Sequence, residues 1–283
     1  MSVTYTAVLD MSEDSVLFLS ALLHAERVRR GTRTGTRALG TYKQAVLVLG
    51  WFLDDARMSG LARDNAICSS TAYAYRDEGI AVLAACRPWL HGALLAAKAA
   101  GWSHVIVDGT LISTDRNRHP RPHPRAGSVV VGQARGKHHH HGGNIQVVSA
   151  PDGWPLGTSP VRPGREHDTT TTTTTAARAD PDLLARIAEW VSDGGLSLAD
   201  LGYEGEPDLF HIPAKKPTGG ELTVDQQTYN AVHGALRCLG ERANSLLKTT
   251  YKALRRYRGC PWRLGKIVAA ALVLLHHENH RTT

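Results

Sequence analysis

The chain has 283 residues, with 33 Lys and Arg against 26 Asp and Glu for a net charge of +7; 42% of it is apolar and 21% charged. A chain of this size and balance can bury a sizeable core, which excludes wholesale disorder and fibrous repeats. Its longest uncharged apolar run, Ile267–Leu275, falls far short of the roughly 20 residues a membrane-spanning helix needs. The four cysteines are scattered without a CxxC pair, so they fit neither a disulfide framework nor a thiolate zinc site. The opening MSVTYTAVLDMSEDS is acidic where a secretory signal is basic, and a cytoplasmic protein with no membrane partner is expected.

The first third reads as helices. Ser15 to Val28 carries apolar residues at a period near 3.6, and Thr41 to Leu53 repeats the pattern after a Gly/Thr-rich break. A short helix around Gly60–Ala66, a turn at Ile67–Ser69 and a helix capped by Ser69 or Ser70 make a helix-turn-helix pattern. Its second helix would present Tyr73, Tyr75 and Arg76 near the end where such proteins meet DNA. Pro88 and an alanine-rich helix to Lys98 lead to a boundary near Gly101, so residues 1–100 form one expected domain and 101–283 another.

After Gly101 the pattern changes. SHVIVDGTLIST is a β-branched run with a carboxylate at its centre, and GGNIQVVSAPDGWPLGTSPV reads as two strands around an Asp-Gly turn. A helix over Pro181–Val191, a strand in GLSLADLGYEG, a long helix from about Val224 to Arg258 and an apolar helix from Leu264 to His277 follow. The sum is an α/β domain with a mixed sheet.

Charge is unevenly spread. Arg116–Pro151 holds six Lys/Arg, six His and no acid, and Arg242–His277 holds eight Lys/Arg and no acid. Tracts of this kind attract polyanions, nucleic acid first. Lys137, Lys248, Lys252, Arg255 and Arg256 are the expected phosphate contacts. The run His138–His141 is internal and precedes a strand; four consecutive side chains there cannot all ligate one ion, which favours a DNA-backbone or structural role.

Three carboxylates stand out: Asp108 in the first strand, Asp200 ending the fourth, and Glu241 in the long helix. Clustered carboxylates repel unless a cation neutralises them, and hard Mg²⁺ takes oxygen ligands. At about 100° per residue, Arg237, Glu241 and Lys248 share one helix face, which suits a metal ligand flanked by groups that hold phosphate.

The segments VDGTLI, GKHHHHGGNIQV, SPVRPGREHD, LADLGYEG, PTGGELTVDQQTYN and GERANSLLK, in that order, resemble the DDE transposases of bacterial insertion sequences, in the group related to Harbinger elements. The resemblance spans about residues 30–275. It implies an RNase H-like catalytic domain with Asp108, Asp200 and Glu241 holding two Mg²⁺ (or Mn²⁺) ions. It also implies cleavage at element ends, transfer of the 3′-hydroxyl strands to target DNA, and a homodimer or larger assembly on double-stranded DNA, close to the nucleoid. Arg237, Glu241 and Lys248 match the superfamily's Tyr-x2-Arg-x3-Glu-x6-Lys signature, with Gly234 where the Tyr would stand. Asp168, in RxHD, is a rival second ligand; Asp200 is preferred because it ends a strand, and Asp168 is read as a helix cap. Two other readings stay open: a transposase descendant that binds DNA without cutting it, and a metal-dependent nuclease that cuts without joining.

Overall fold

A computed structural model describes residues 8–114, 142–163, 181–259 and 261–281. The chain divides into two compact units. One comprises Met1–Arg87, Lys248–Arg255 and Lys266–Arg281; the other comprises Pro88–Leu247 and Arg256–Gly265.

The first unit is helical. It contains α1 (Glu13–Arg29), α2 (Thr41–Asp54), α3 (Met58–Asp64), α4 (Ser69–Ala85) and the residues of α8 (Leu264–Glu278) from Lys266 on. Ser12 caps α1, its hydroxyl accepting from the Ser15 N–H. The same hydroxyl donates to Glu278 at 2.7 Å, and the Ser12 N–H donates to that carboxylate at 2.9 Å, which fastens the end of α8 to the start of α1. Phe18 stacks on His277 with ring centroids 4.0 Å apart. The apolar C-terminal helix thus completes the core of the helical unit, not that of the sheet. Sequence composition changes near Gly101, but packing divides the chain at Arg87/Pro88.

A buried polar cluster pins this bundle. Glu78 on α4 is buried and pairs with Arg37; Arg30 lies 3.5 Å from it, and the fully buried Gln44 donates to it at 2.8 Å. Gln44 also accepts from Arg27 at 2.6 Å and donates to the Tyr75 carbonyl at 3.2 Å, so α1, α2 and α4 share one network.

The second unit is α/β. It holds α5 (Leu90–Ala99), β1 (His104–Thr114), β2 (Gly142–Ser149), β3 (Pro155–Thr158), β4 (Arg162–Pro163), α6 (Pro181–Ser192), β5 (Leu196–Leu198), most of α7 (Val224–Thr250) and β6 (Arg256–Tyr257). The sheet runs β3-β2-β1-β5, with β4 also on β2 and β6 also on β1. β1, β2 and β3 are antiparallel neighbours, and β5 joins the far edge of β1 parallel to it. That is the RNase H-like arrangement: a three-stranded meander whose first strand becomes central when a parallel strand is added.

The β2–β3 turn closes on Gly153, at φ +81°. The Trp154 N–H donates to Asp152 Oδ1 at 3.0 Å. A Cβ on Gly153 would press into the Leu239 carbonyl of α7, so glycine is required there for two reasons.

The long helix is shorter than its periodicity predicts, ending at Thr250 instead of Arg258. Apolar spacing continues through Tyr251, Leu254 and Tyr257, but Arg255 donates to the carbonyls of Lys248 (3.0 Å) and Thr249 (3.3 Å) and so satisfies the helix end.

Glu78→Ala leaves the buried Gln44 amide and the part-exposed Arg37 guanidinium without their shared acceptor. Urea unfolding should show a loss of about 1–3 kcal/mol from the helical unit. A loss below about 0.5 kcal/mol, the scale of an ordinary surface substitution, would show that the cluster does not hold the bundle.

Candidate active site

β1 is central because its β-branched residues can be buried on both faces: Val105, Ile106 and Val107 are fully buried. Asp108 follows directly, opposite Val147 of β2, with only 15% of its side chain exposed. By alternation it shares a face with Ile106. Gly240 on α7 lies against that face: a Cβ there would stand 2.6 Å from Ile106 Cγ2. The bare helix surface lets α7 approach closely enough for its other side chains to reach Asp108. Asn244 donates from Nδ2 to Asp108 Oδ2 at 2.8 Å, and Arg237 Nη1 lies 3.6 Å from Oδ1.

Arg237 also lies 4.0 Å from Glu241, whose carboxylate is 68% exposed. One guanidinium therefore stands between two carboxylates, in the place that chemistry would assign to a cation.

Asp200 follows β5 and caps the 3-10 turn Leu201–Tyr203, accepting from the Gly202 N–H at 2.8 Å through Oδ1. A Cβ on Gly202 would stand 2.8 Å from that oxygen, so the glycine of the Asp-x-Gly-Tyr segment keeps the carboxylate where it is.

The three acids sense each other at Asp108. Burial pushes its carboxyl above the usual range; Arg237 opposes this, and Asp200 and Glu241 add to it. Among the described residues no three acids, histidines or cysteines stand close enough as they are to hold an ion. The donor set is all carboxylate oxygen, which suits Mg²⁺ or Mn²⁺, and Arg237 already shows that the pair Asp108–Glu241 accepts a positive charge between its members.

Asn244 was missed by sequence reasoning. Its spacing from Arg237 is one heptad, and that shared face was the available signal.

Several expected DNA contacts are placed otherwise. α3 and α4 are joined by a four-residue turn, and Tyr73 is 47% exposed on the first turns of α4. Tyr75 and Arg76, by contrast, are buried. The Tyr75 oxygen accepts from the Leu39 N–H at 3.3 Å, and the Arg76 guanidinium packs on the rings of Trp51 and Tyr73 and pairs with Asp77. Tyr75 lies about 200° around α4 from Tyr73 and so faces the core, whereas Arg76 shares the Tyr73 side of the helix and is buried because the rings of Trp51 and Tyr73 cover it.

Lys252 pairs with Asp54 at 2.8 Å, and Arg255 is committed to the α7 carbonyls. Lys248 lies two turns beyond Glu241 on α7, and Arg256 is exposed on β6. Lys137, His138–His141 and Asp168 lie outside the described residues.

The sequence profile of one family, described as "DDE superfamily endonuclease", matches residues 107–276. No curated protein matches significantly. Among solved structures, the chain is similar to a Mos1 transposase paired-end complex with left transposon end (12% identity, 87% of this chain and 85% of that one, TM-score 0.20). It is likewise similar to a pre-cleavage Mos1 transpososome (12%, 87% and 85%, 0.21) and to the Mos1 strand transfer complex (11%, 89% and 82%, 0.21).

Because the folded chain holds the Asp108 proton to a higher pH than the unfolded chain does, ionised Asp108 opposes folding at neutral pH and ceases to do so below about 4, the ordinary carboxyl range. In metal-free buffer Asp108→Asn should therefore raise the Tm at pH 7, and the gain should shrink as the pH falls toward that range. A lowered Tm at pH 7, or a gain independent of pH, would contradict the electrostatics described.

Proposed function

The chain belongs to the DDE superfamily endonucleases, and on that premise we propose that it is a DNA transposase that cuts at the ends of an insertion sequence and joins the freed 3′-hydroxyl strands to target DNA. The observation that carries this reading is the buried carboxylate of Asp108 on the central strand, with Asp200 and Glu241 near enough to act on it and Arg237 in a cation's place.

Asp108, Asp200 and Glu241 hold the metal. Two divalent ions bound by these carboxylates would supply activation of a water or a 3′-hydroxyl and charge neutralisation at the leaving oxygen of a phosphodiester. Asn244 keeps Asp108 oriented through its 2.8 Å hydrogen bond. Arg237 has a second use: once its carboxylates are neutralised, its guanidinium is available to a phosphate, which it suits as a planar bidentate donor.

The helical unit recognises the element's ends, and the exposed start of α4 is its reading edge. Ser69, Ser70 and Tyr73 are exposed there, whereas Tyr75 and Arg76 act only by holding the helix. The basic tracts add sequence-independent affinity. Assembly as a dimer on paired ends belongs to the same proposal.

The test is a cleavage and joining assay on end-containing DNA with a target plasmid. Asp108→Asn, Asp200→Asn and Glu241→Gln should each lose about 10³-fold or more in cleavage, since several kcal/mol of charge stabilisation is removed, while end binding persists. Asp168→Asn joins the series. Loss there with activity kept in Asp200→Asn would move the second ligand, and cleavage in all four would refute the mechanism. Cleaved but never joined DNA would leave a nuclease.

A separate measurement addresses recognition. In the full chain, Tyr73→Ala should reduce the preference for end DNA over random DNA by about tenfold, the scale of one good base contact, with a Tm loss no larger than the lost stacking on Arg76 explains. An unchanged preference would place the reading edge elsewhere.

A further inference from the structure

The tyrosine of the Asp-x-Gly-Tyr segment is unexplained by the carboxylate chemistry. Tyr203 is almost fully buried, packs on Phe210 with ring centroids 4.8 Å apart, and donates its O–H to the side-chain oxygen of Gln146.

The topology makes this bond informative. Tyr203 ends the turn that follows β5, while Gln146 lies on β2, and β1 runs between those two strands. The phenol must therefore pass across β1 to reach its acceptor. The register partner of Gln146 on β1 is Gly109, which has no side chain to block the way. By alternation this crossing lies on the face opposite the one that carries Asp108. Gly109 follows Asp108 directly, so the bond crosses the central strand immediately beside the first carboxylate.

We propose that the Tyr203–Gln146 hydrogen bond, crossing β1 at Gly109, is a pin that positions Asp200 against Asp108 for metal binding. The turn it holds is short. Asp200 is both its cap and the candidate second ligand, only three residues from the pinned phenol. Loosening the phenol lets the turn move and Asp200 with it. Tyr203 is thus a positioning residue that acts through Asp200. Gln146 is itself fixed, exchanging backbone hydrogen bonds with Ser159: its N–H donates to Ser159 Oγ at 2.9 Å, and its carbonyl accepts from the Ser159 N–H at 2.8 Å. The pin therefore ties the turn to a rigid strand.

The inference rests on the metal reading above, and the experiment separates the two. Mn²⁺ binding to the full chain is followed by loss of the free-ion paramagnetic resonance signal, with thermal melts recorded in metal-free buffer. Tyr203→Phe should weaken Mn²⁺ binding by about tenfold, the low end of the effect of disturbing the groups that orient a metal ligand. The metal concentration for half-maximal cleavage should rise in parallel, while the rate at saturating metal is largely kept. Gly109→Val should weaken binding similarly by obstructing the crossing.

Tyr203→Phe with Gln146→Leu replaces both polar partners by apolar groups. It should recover much of any Tm lost by Tyr203→Phe alone, because no buried amide is left without a partner, yet Mn²⁺ binding should stay weak. A merely structural tyrosine would instead have binding recover along with the Tm, and that result would overturn the pin. Unchanged Mn²⁺ affinity in Tyr203→Phe, in a series where Asp108→Asn has lost it, would overturn the pin alone. Mn²⁺ binding that survives Asp108→Asn would overturn the metal reading and the pin with it.

Discussion

A carboxylate set in the middle of a central strand, with strands on either side and a helix across its face, is costly unless something neutralises it. Asp108 is that group, and the surrounding structure is arranged around its charge. Gly240 removes the one side chain that would hold α7 away from Ile106. The close approach brings Asn244 and Arg237 to the two carboxylate oxygens. Even so, burial and the neighbouring acids outweigh these partners and push the carboxyl up. A group held at such expense in a well-packed β1 makes sense if a cation of higher charge than one arginine completes the site.

The same strand explains the layout of the unit. β1 must have a meander on one side and a parallel strand on the other for Asp200, at the end of that parallel strand, to approach Asp108. It must also have a helix across one face for Glu241 to approach from above. The acids are 92 and 41 residues apart in sequence, and only this topology brings Asp200 and Glu241 near enough to act on the charge of Asp108. Glycines occupy the tight places: Gly202 against Asp200, Gly240 against Ile106, and Gly153 under α7.

Elements were legible in the sequence where the signal was local. The β-branched run around Asp108, the Asp-Gly turn, the Asp-x-Gly-Tyr strand end and the Arg237–Glu241 face all have a period or turn chemistry that short-range physics sets. What was not legible depended on long-range packing. Tyr75 and Arg76 share a helix end with the exposed Tyr73, and only the positions of α2 and Leu39 decide that they are buried. The apolar α8 has no local mark of which core it completes; Ser12 and Glu278, 266 residues apart, decide that. The Tyr203–Gln146 bond likewise joins residues 57 apart across an intervening strand. Lys252 and Arg255 look like free cations in a basic tract, but an ion pair and a helix end already engage them.

The most direct measurement of where the metal sits uses Fe²⁺ in place of Mg²⁺, with ascorbate and peroxide, so that radicals formed at the bound ion cut the nearest peptide bonds of the full chain. Fragments mapped by mass spectrometry should end near Asp108, Asp200 and Glu241, and should vanish in Asp108→Asn. Cuts confined to His138–His141 or to the neighbourhood of Asp168, or a pattern unchanged in Asp108→Asn, would contradict a metal site built on the central strand.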